Sequence, residues 1–216
     1  MTTFTKQKLT FEQFLEQCPE EGLYELVDGE IVEVRSTRNH DDVANFILFA
    51  FNDEIRRLKL SYVVNNTAVF KTITAKATEQ GRKPDLSVID KDVWRSNRSA
   101  YSALEEPIQL AIEVTSTNWE DDYIDKLDEY QRLGITEYWI VEDTALDGFP
   151  GLKQVSVDYL AIGLREYLGN LKVPAVFVFL LNVEGKYQRT QFRGSERIIS
   201  RTFPELSLTA EQILTA

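Results

Sequence analysis

Ile108-Gln109-Leu110-Ala111-Ile112-Glu113-Val114 is the stretch that decides the fold. A short run with apolar side chains at successive positions marks a strand buried on both faces, inside a sheet that other elements cover. Downstream, a helix is expected over roughly 119–133, ended by Gly134, the residue type that best accepts the left-handed backbone past a helix terminus. Glu137-Tyr138-Trp139-Ile140-Val141 is the next strand. Upstream, Asp85-Leu86-Ser87-Val88-Ile89 and the segment Tyr62 to Phe70 are expected as strands with a polar loop between them.

Further toward the N-terminus a long helix opens at Asn39 or His40. Ala44, Ile47, Phe51, Ile55 and Leu58 recur there at steps of three and four, so one stripe faces the core, and His40 lies on it one turn earlier. Before it, Leu23 to Val34 reads as a hairpin about Asp28-Gly29, because a tight hairpin turn needs residues that tolerate positive φ. Thr10 with Gln13 forms a capping-box pattern for a first short helix bearing Phe11, Phe14 and Leu15. Toward the C-terminus, Pro174 to Leu181 is an apolar run too short to span a bilayer and reads as a core strand. A hairpin at Glu184-Gly185, a turn at Gly194-Ser195 and a last helix capped by Thr209 with Gln212 follow. The order helix, strand, strand, strand, helix, strand behind a hairpin predicts an α/β fold with a mixed central sheet flanked by helices. Residues 1–216 are expected to form a single domain, with Pro150-Gly151 as a loop inside it.

The formal net charge of −11 argues against loose binding of polyanions by the whole surface, since such affinity comes from basic residues that displace counterions. A nucleic-acid contact would need a local patch. Two candidates are Lys71, Lys76, Arg82 and Lys83, and the later group Lys186, Arg189, Arg193, Arg197 and Arg201. The single Cys18 excludes an internal disulfide and suits a reducing cytoplasm, and the N-terminus lacks the apolar stretch of a secretion signal. One His and one Cys make no structural zinc site. Any metal is therefore expected on oxygen ligands, which favours magnesium, manganese or calcium.

Three residues break local rules in compatible ways. Asp85 opens a strand directly after Pro84, Glu113 interrupts an apolar strand, and Lys126 falls on the inward helix row with Tyr123 and Tyr130. Each has an ordinary explanation alone: a turn aspartate, a strand-end acid in water, a lysine whose stem covers the core. Together they make one chemistry. Carboxylates at neighbouring strand ends can hold a hard divalent cation, and a nearby lysine can orient an attacking water and add positive charge beside a phosphate.

With their neighbours, these residues resemble the PD-(D/E)XK nuclease superfamily, in which an Asp opens one strand and an acid-x-Lys motif occupies the next. The closer resemblance is to the Uma two family of putative restriction endonucleases. It is carried by Tyr24-Glu25-Leu26-Val27-Asp28-Gly29-Glu30, His40, Pro84-Asp85-Leu86-Ser87-Val88 and Glu113-Val114-Thr115-Ser116. Lys126, Tyr130, Gly134, Glu137-Tyr138-Trp139-Ile140-Val141 and Phe203-Pro204-Glu205-Leu206 complete it. The resemblance implies a restriction-endonuclease-like αβββαβ core with N-terminal and C-terminal β-hairpin extensions. It also implies a Mg2+- or Mn2+-dependent endonuclease, cytoplasmic and homodimeric, acting on phosphodiesters of nucleic acid, most readily DNA. Asp85 and Glu113 would hold the metal and Lys126 would complete the catalytic set, with Glu25, Glu30, His40 and Tyr130 as further site candidates. Thr115 stands where the superfamily motif has lysine, so Lys126 must reach the same space from the helix. The segment Asp143 to Ser156 is longer than the family usually shows. Two other readings remain: a non-catalytic interaction protein on a nuclease scaffold, and a nuclease for RNA or structured DNA.

Overall fold

The computed structural model describes residues 8–96, 101–115, 121–142 and 174–216. Its elements run α1 (Phe11–Gln17), β1 (Tyr24–Val27), β2 (Glu30–Glu33), α2 (Arg38–Leu58), β3 (Tyr62–Asn65), β4 (Val69–Ile73), β5 (Glu79–Arg82) and β6 (Leu86–Asp90). After them come α3 (Lys91–Arg95), β7 (Ala103–Leu104), β8 (Leu110–Val114), α4 (Leu127–Leu133), β9 (Glu137–Glu142), β10 (Ala175–Leu181), β11 (Tyr187–Phe192) and α5 (Ala210–Leu214). The α/β reading with helix-flanked mixed sheets holds. The hairpin, both capping boxes and the buried strand at Leu110–Val114 stand where the sequence puts them.

Beside the mixed central sheet stands a second one. A six-stranded sheet runs β11-β10-β9-β8-β6-β3, and a five-stranded sheet runs β2-β1-β5-β4-β7. The expected strand Tyr62 to Phe70 is where they part. The Asn65 side chain accepts from the backbone N–H groups of Thr67 at 2.8 Å and Ala68 at 2.6 Å, an Asx-type turn that breaks the run. β3 then pairs with β6, and β4 pairs with β5 in the other sheet. The sequence reading missed β5, Glu-Gln-Gly-Arg, because it has no apolar residue to alternate; only its hydrogen-bond partners make it a strand.

Alternation along β8 sorts the core into two layers. Leu110, Ile112 and Val114 face α2 and α5 with Val43, Ile47, Phe51, Trp139 and Phe203. Phe51 meets the edge of Trp139 at 5.4 Å and tilts against Phe203 at 4.6 Å, which pins the middle of α2 to the sheet. Ala111 looks the other way, into a layer of Tyr130, Tyr138, Ile140, Phe177 and Phe70. Phe70 comes from β4 and Tyr130 from α4, so α4 packs between the two sheets.

The helix that precedes β9 is not uniform. Asp121–Lys126 form a wide π-helical turn, and α4 continues from Leu127 to end at Gly134 with φ +89°. Its expected start near Trp119 lies outside the described residues, as do Pro150-Gly151 and the Asp143 to Ser156 segment. The first basic patch is also corrected. Arg82 and Lys83 are buried, and Lys71 is paired with Glu79 at 3.1 Å and Glu105 at 3.3 Å. In the later group, Arg197 and Arg201 donate to the backbone carbonyls of Leu206, Pro204 and Leu181. Among the described residues no helix is long and apolar enough to cross a membrane.

Since Phe51 is fully buried against two aromatic rings, Phe51→Ala should cost about 3–5 kcal/mol. A urea titration should register this as a lower midpoint at an unchanged slope. A midpoint equal to that of the unsubstituted chain would refute the packing described for α2.

Candidate functional site

Pairing of β6 with β8 sets Leu86 opposite Ile112, so Asp85 and Val114 meet at the same end of the sheet. The Asp85 carboxylate takes the Val114 N–H at 2.8 Å and His40 Nε2 at 2.9 Å, both on Oδ2. Among the described residues, Oδ1 carries no hydrogen bond. Burial is the largest single influence and works against the Asp85 charge, but the hydrogen bond and charge of His40, the charge of Lys126 and the Val114 N–H together outweigh it and keep the pKa below the ordinary value. Burial opposes the charged form of His40, and Asp85 together with Asp41 overcomes it and raises the pKa above its ordinary value. His40 is delivered by the first turn of α2, where Thr37 caps the helix by accepting from the His40 N–H.

Glu113 lies on the β8 face that carries Ala111, turned toward α4, and is 2% exposed. Tyr130 donates its hydroxyl to Oε1 at 2.8 Å, and Lys126 Nζ stands 3.0 Å from Oε2. Lys126 also reaches Asp122 Oδ1 at 3.2 Å and lies 3.6 Å from Glu25 Oε1. The last contact is too long for a hydrogen bond, so among the described residues one N–H of the ammonium has no close acceptor. Burial would discharge Lys126, yet Glu113, Glu25, Asp122 and Asp85 together hold its pKa well above the ordinary value.

The balance runs the other way for the acids. Burial pushes Asp122 up to about 6 despite Lys126, with Asp85 and Glu25 adding repulsion. Glu113 is raised well above its usual range, by burial first and then by Asp85, Asp122 and Glu25. Burial beside Glu113 keeps the Tyr130 hydroxyl protonated, as its donor role requires. Four carboxylates therefore face one ammonium, and the site carries excess negative charge.

Glu25 links the site to the second sheet. Its Oε1 accepts the backbone N–H of Lys83 at 2.9 Å, and its Oε2 lies 3.7 Å from Arg82. Arg82 makes two bonds of 2.8 Å to Glu129 on α4, and Thr72 donates to the same carboxylate at 2.6 Å. This buried fork joins α4 to the second sheet directly beside the site.

The structure brings together Asp85, Glu113, Lys126, Glu25, His40 and Tyr130. Glu30 is not among them: it is an exposed residue of β2, on the edge strand away from the cluster. Thr115 does not substitute for a lysine either. Its N–H and hydroxyl both bind the Val141 carbonyl, which ties it into the sheet. The sequence reading did not include Asp122; its i,i+4 spacing from Lys126 was the available signal. A cleft of about 300 Å³ opens beside Asp85 and His40.

The sequence profile of the Uma2 family, described as "Putative restriction endonuclease", matches residues 11–211. The chain belongs to that family, which assigns it to the nuclease class. The fold is similar to the crystal structure of a putative nuclease belonging to DUF820 from Anabaena variabilis. That match has a TM-score of 0.67 at 13% identity and covers 96% of this chain and 98% of the other. No curated protein matches.

The raised Asp122 pKa has a consequence for stability. The folded state holds this proton more tightly than the unfolded chain, so between the ordinary value of 3.8 and about 6 it binds the greater number of protons. The stabilisation is present at low pH and lost as pH rises through about 6. Asp122→Asn should flatten the fall in urea-unfolding free energy between pH 4 and 7. An unchanged slope would contradict the burial of this carboxyl.

Proposed function

We propose that the chain is a divalent-metal-dependent endonuclease that hydrolyses phosphodiester bonds in DNA, with Asp85, Glu113 and Lys126 as its catalytic residues. The observation that carries the reading is the buried contact of Lys126 with Glu113, beside an Asp85 with one oxygen that takes no hydrogen bond among the described residues.

The donor set fits a hard cation. Four buried carboxylates against one ammonium leave charge that a cation would offset, and Asp85 with Glu113 are the pair that would hold it. Among the described residues no three acidic, histidine or cysteine side chains form a ready cage. Magnesium needs only one or two carboxylates and otherwise keeps water or takes phosphate oxygens. A bound divalent ion supplies charge stabilisation for the phosphorane-like transition state and the leaving oxygen.

The chain's own groups account for the rest. The N–H of Lys126 without a close acceptor is available to a water or a phosphate oxygen, while Glu113 and Asp122 fix the ammonium's direction. Asp122, at about 6, is a proton acceptor of suitable strength for the attacking water. Tyr130 orients Glu113, and His40 orients Asp85. Water adds to phosphorus, the P–O bond to the leaving oxygen breaks, and the water's proton passes to the acid cluster. Dimerisation of the chain is part of the proposal, because cutting both strands takes two such sites.

The competing reading, an interaction protein on the same scaffold, draws on the net charge of −11 and on Thr115 in the lysine position. Against it stands the ammonium of Lys126, delivered from the helix to the carboxylates.

Pure protein should nick plasmid DNA in magnesium or manganese and lose the activity in chelator. Asp85→Ala, Glu113→Gln and Lys126→Met should each lower the rate at least about a hundredfold. Equal activity, or equal inactivity, of the wild type and Asp85→Ala across metals and across DNA and RNA substrates would sink the proposal. Calorimetry with no magnesium or manganese binding would favour the interaction protein.

A further inference from the structure

Among the described residues β11 is an edge of the six-stranded sheet, and the strand register carries the face of the site out to it. Directly paired residues of neighbouring strands point to the same side of a sheet. Glu113 pairs with Ile140, Ile140 with Phe177, and Phe177 with Gln191. Gln191 therefore shares the face of Glu113 three strands away, roughly 14 Å at the usual strand spacing. Alternation along β11 puts Arg189 on that face too, and Arg193, the first residue past the strand, continues the row.

Neutral groups support both arginines. Arg189 is exposed, with its guanidinium carbon 5.6 Å over the Phe177 ring. That ring also meets Tyr123 edge-on at 5.8 Å, and Tyr123 belongs to the same π-helical turn as Lys126. Arg193 is exposed as well. With its amide oriented by these bonds, Gln191 accepts from Arg193 Nε at 3.1 Å and Nη2 at 2.8 Å. Among the described residues the Arg193 guanidinium has no ion pair. The acids of this region are engaged otherwise or buried. Glu196 takes the Arg193 backbone N–H at 2.6 Å, Glu142 is buried opposite Ala175, and Glu113 and Asp122 belong to the interior cluster around Lys126. The rest of the second basic group lies elsewhere: Arg197 and Arg201 bind backbone carbonyls, and Lys186 precedes the strand, out of the row.

A guanidinium presents a rigid fork of N–H donors that suits a phosphate. We infer that the face of β11 carrying Arg189, Gln191 and Arg193 is a contact surface for the phosphate backbone of a DNA duplex. At the rise of a duplex, roughly 14 Å places this contact about four nucleotides from the bond cut beside Glu113. The inference rests on the nuclease reading for the identity of the ligand. It gives a chain of net charge −11 a local cationic contact on the side of the sheet that holds the site.

The test is fluorescence anisotropy of a labelled DNA duplex with the full chain in chelator, over a series of salt concentrations. Arg189→Ala and Arg193→Ala should each weaken binding about three- to tenfold and lower the salt slope by about one, and the double variant should lower it by about two. Arg193→Lys should restore most of the slope, because charge is what a phosphate contact reads. Lys186→Ala removes the same charge outside the row and should leave the affinity within about twofold of the wild type. No duplex binding by the wild type overturns the inference. So does an equal loss on Lys186→Ala, which makes the effect one of net charge, or a loss that tracks a lowered urea midpoint, which makes it one of folding. Altered sedimentation of free Arg193→Ala protein, with duplex binding unmoved, makes this edge a subunit interface and overturns the inference as well. The two ideas fail separately. A wild type that binds duplex through the two arginines but never cuts it in magnesium or manganese sinks the nuclease reading alone, whereas cleavage with a KM indifferent to the double variant sinks the contact surface alone.

Discussion

The ammonium of Lys126 is the constraint on which the rest of the site depends. Glu113, Asp122 and Glu25 lie around it in the interior, and without a central positive charge their mutual repulsion and loss of hydration would expel or protonate them. One charge against four acids is too little for neutrality. Burial, with the repulsion among these acids added to it, raises the proton affinity of Glu113 and Asp122, while Asp85, answered by His40, stays ionised. A cation bound there would compete with those protons, and that competition would join the stability of the protein to its proposed chemistry.

Two sheets are needed to hold this arrangement. The six-stranded sheet supplies Glu113 and the approach to Asp85, and the five-stranded sheet supplies Glu25 and, just past β5, the backbone of Lys83. α4 packs between them, fixed on one side by Tyr130 on Glu113 and on the other by the Arg82 fork on Glu129. Lys126 closes the π-helical turn that feeds α4. An extra residue per turn re-aims the side chains ahead of the regular helix, and such turns recur at functional sites.

Much of this was legible in the sequence because it rests on local pattern. Asp28-Gly29 fixes a hairpin through two positive φ values, and Leu110 to Val114 can only be an interior strand. Glu113 and Lys126 announced themselves as charges on apolar faces. The division into two sheets was not legible, since it turns on one Asn65 side chain accepting two backbone bonds and on an all-polar β5 defined by partners distant in the chain. Lys83 looked like one member of a basic patch. Its burial follows from the packing of both sheets, and no local rule announces that.

The bonds that assemble the site span long stretches of chain: 58 residues from Glu25 to Lys83, 45 from His40 to Asp85 and 47 from Arg82 to Glu129. Closing loops of that size costs entropy before any contact rewards it, so these pairings belong to the later steps of folding. A chain with β8 and β9 paired but the second sheet undocked would keep Glu113 and Lys126 without Glu25 or the Arg82 fork. The acid cluster is therefore a product of the finished fold, and during synthesis it comes into being only after the sheets have met.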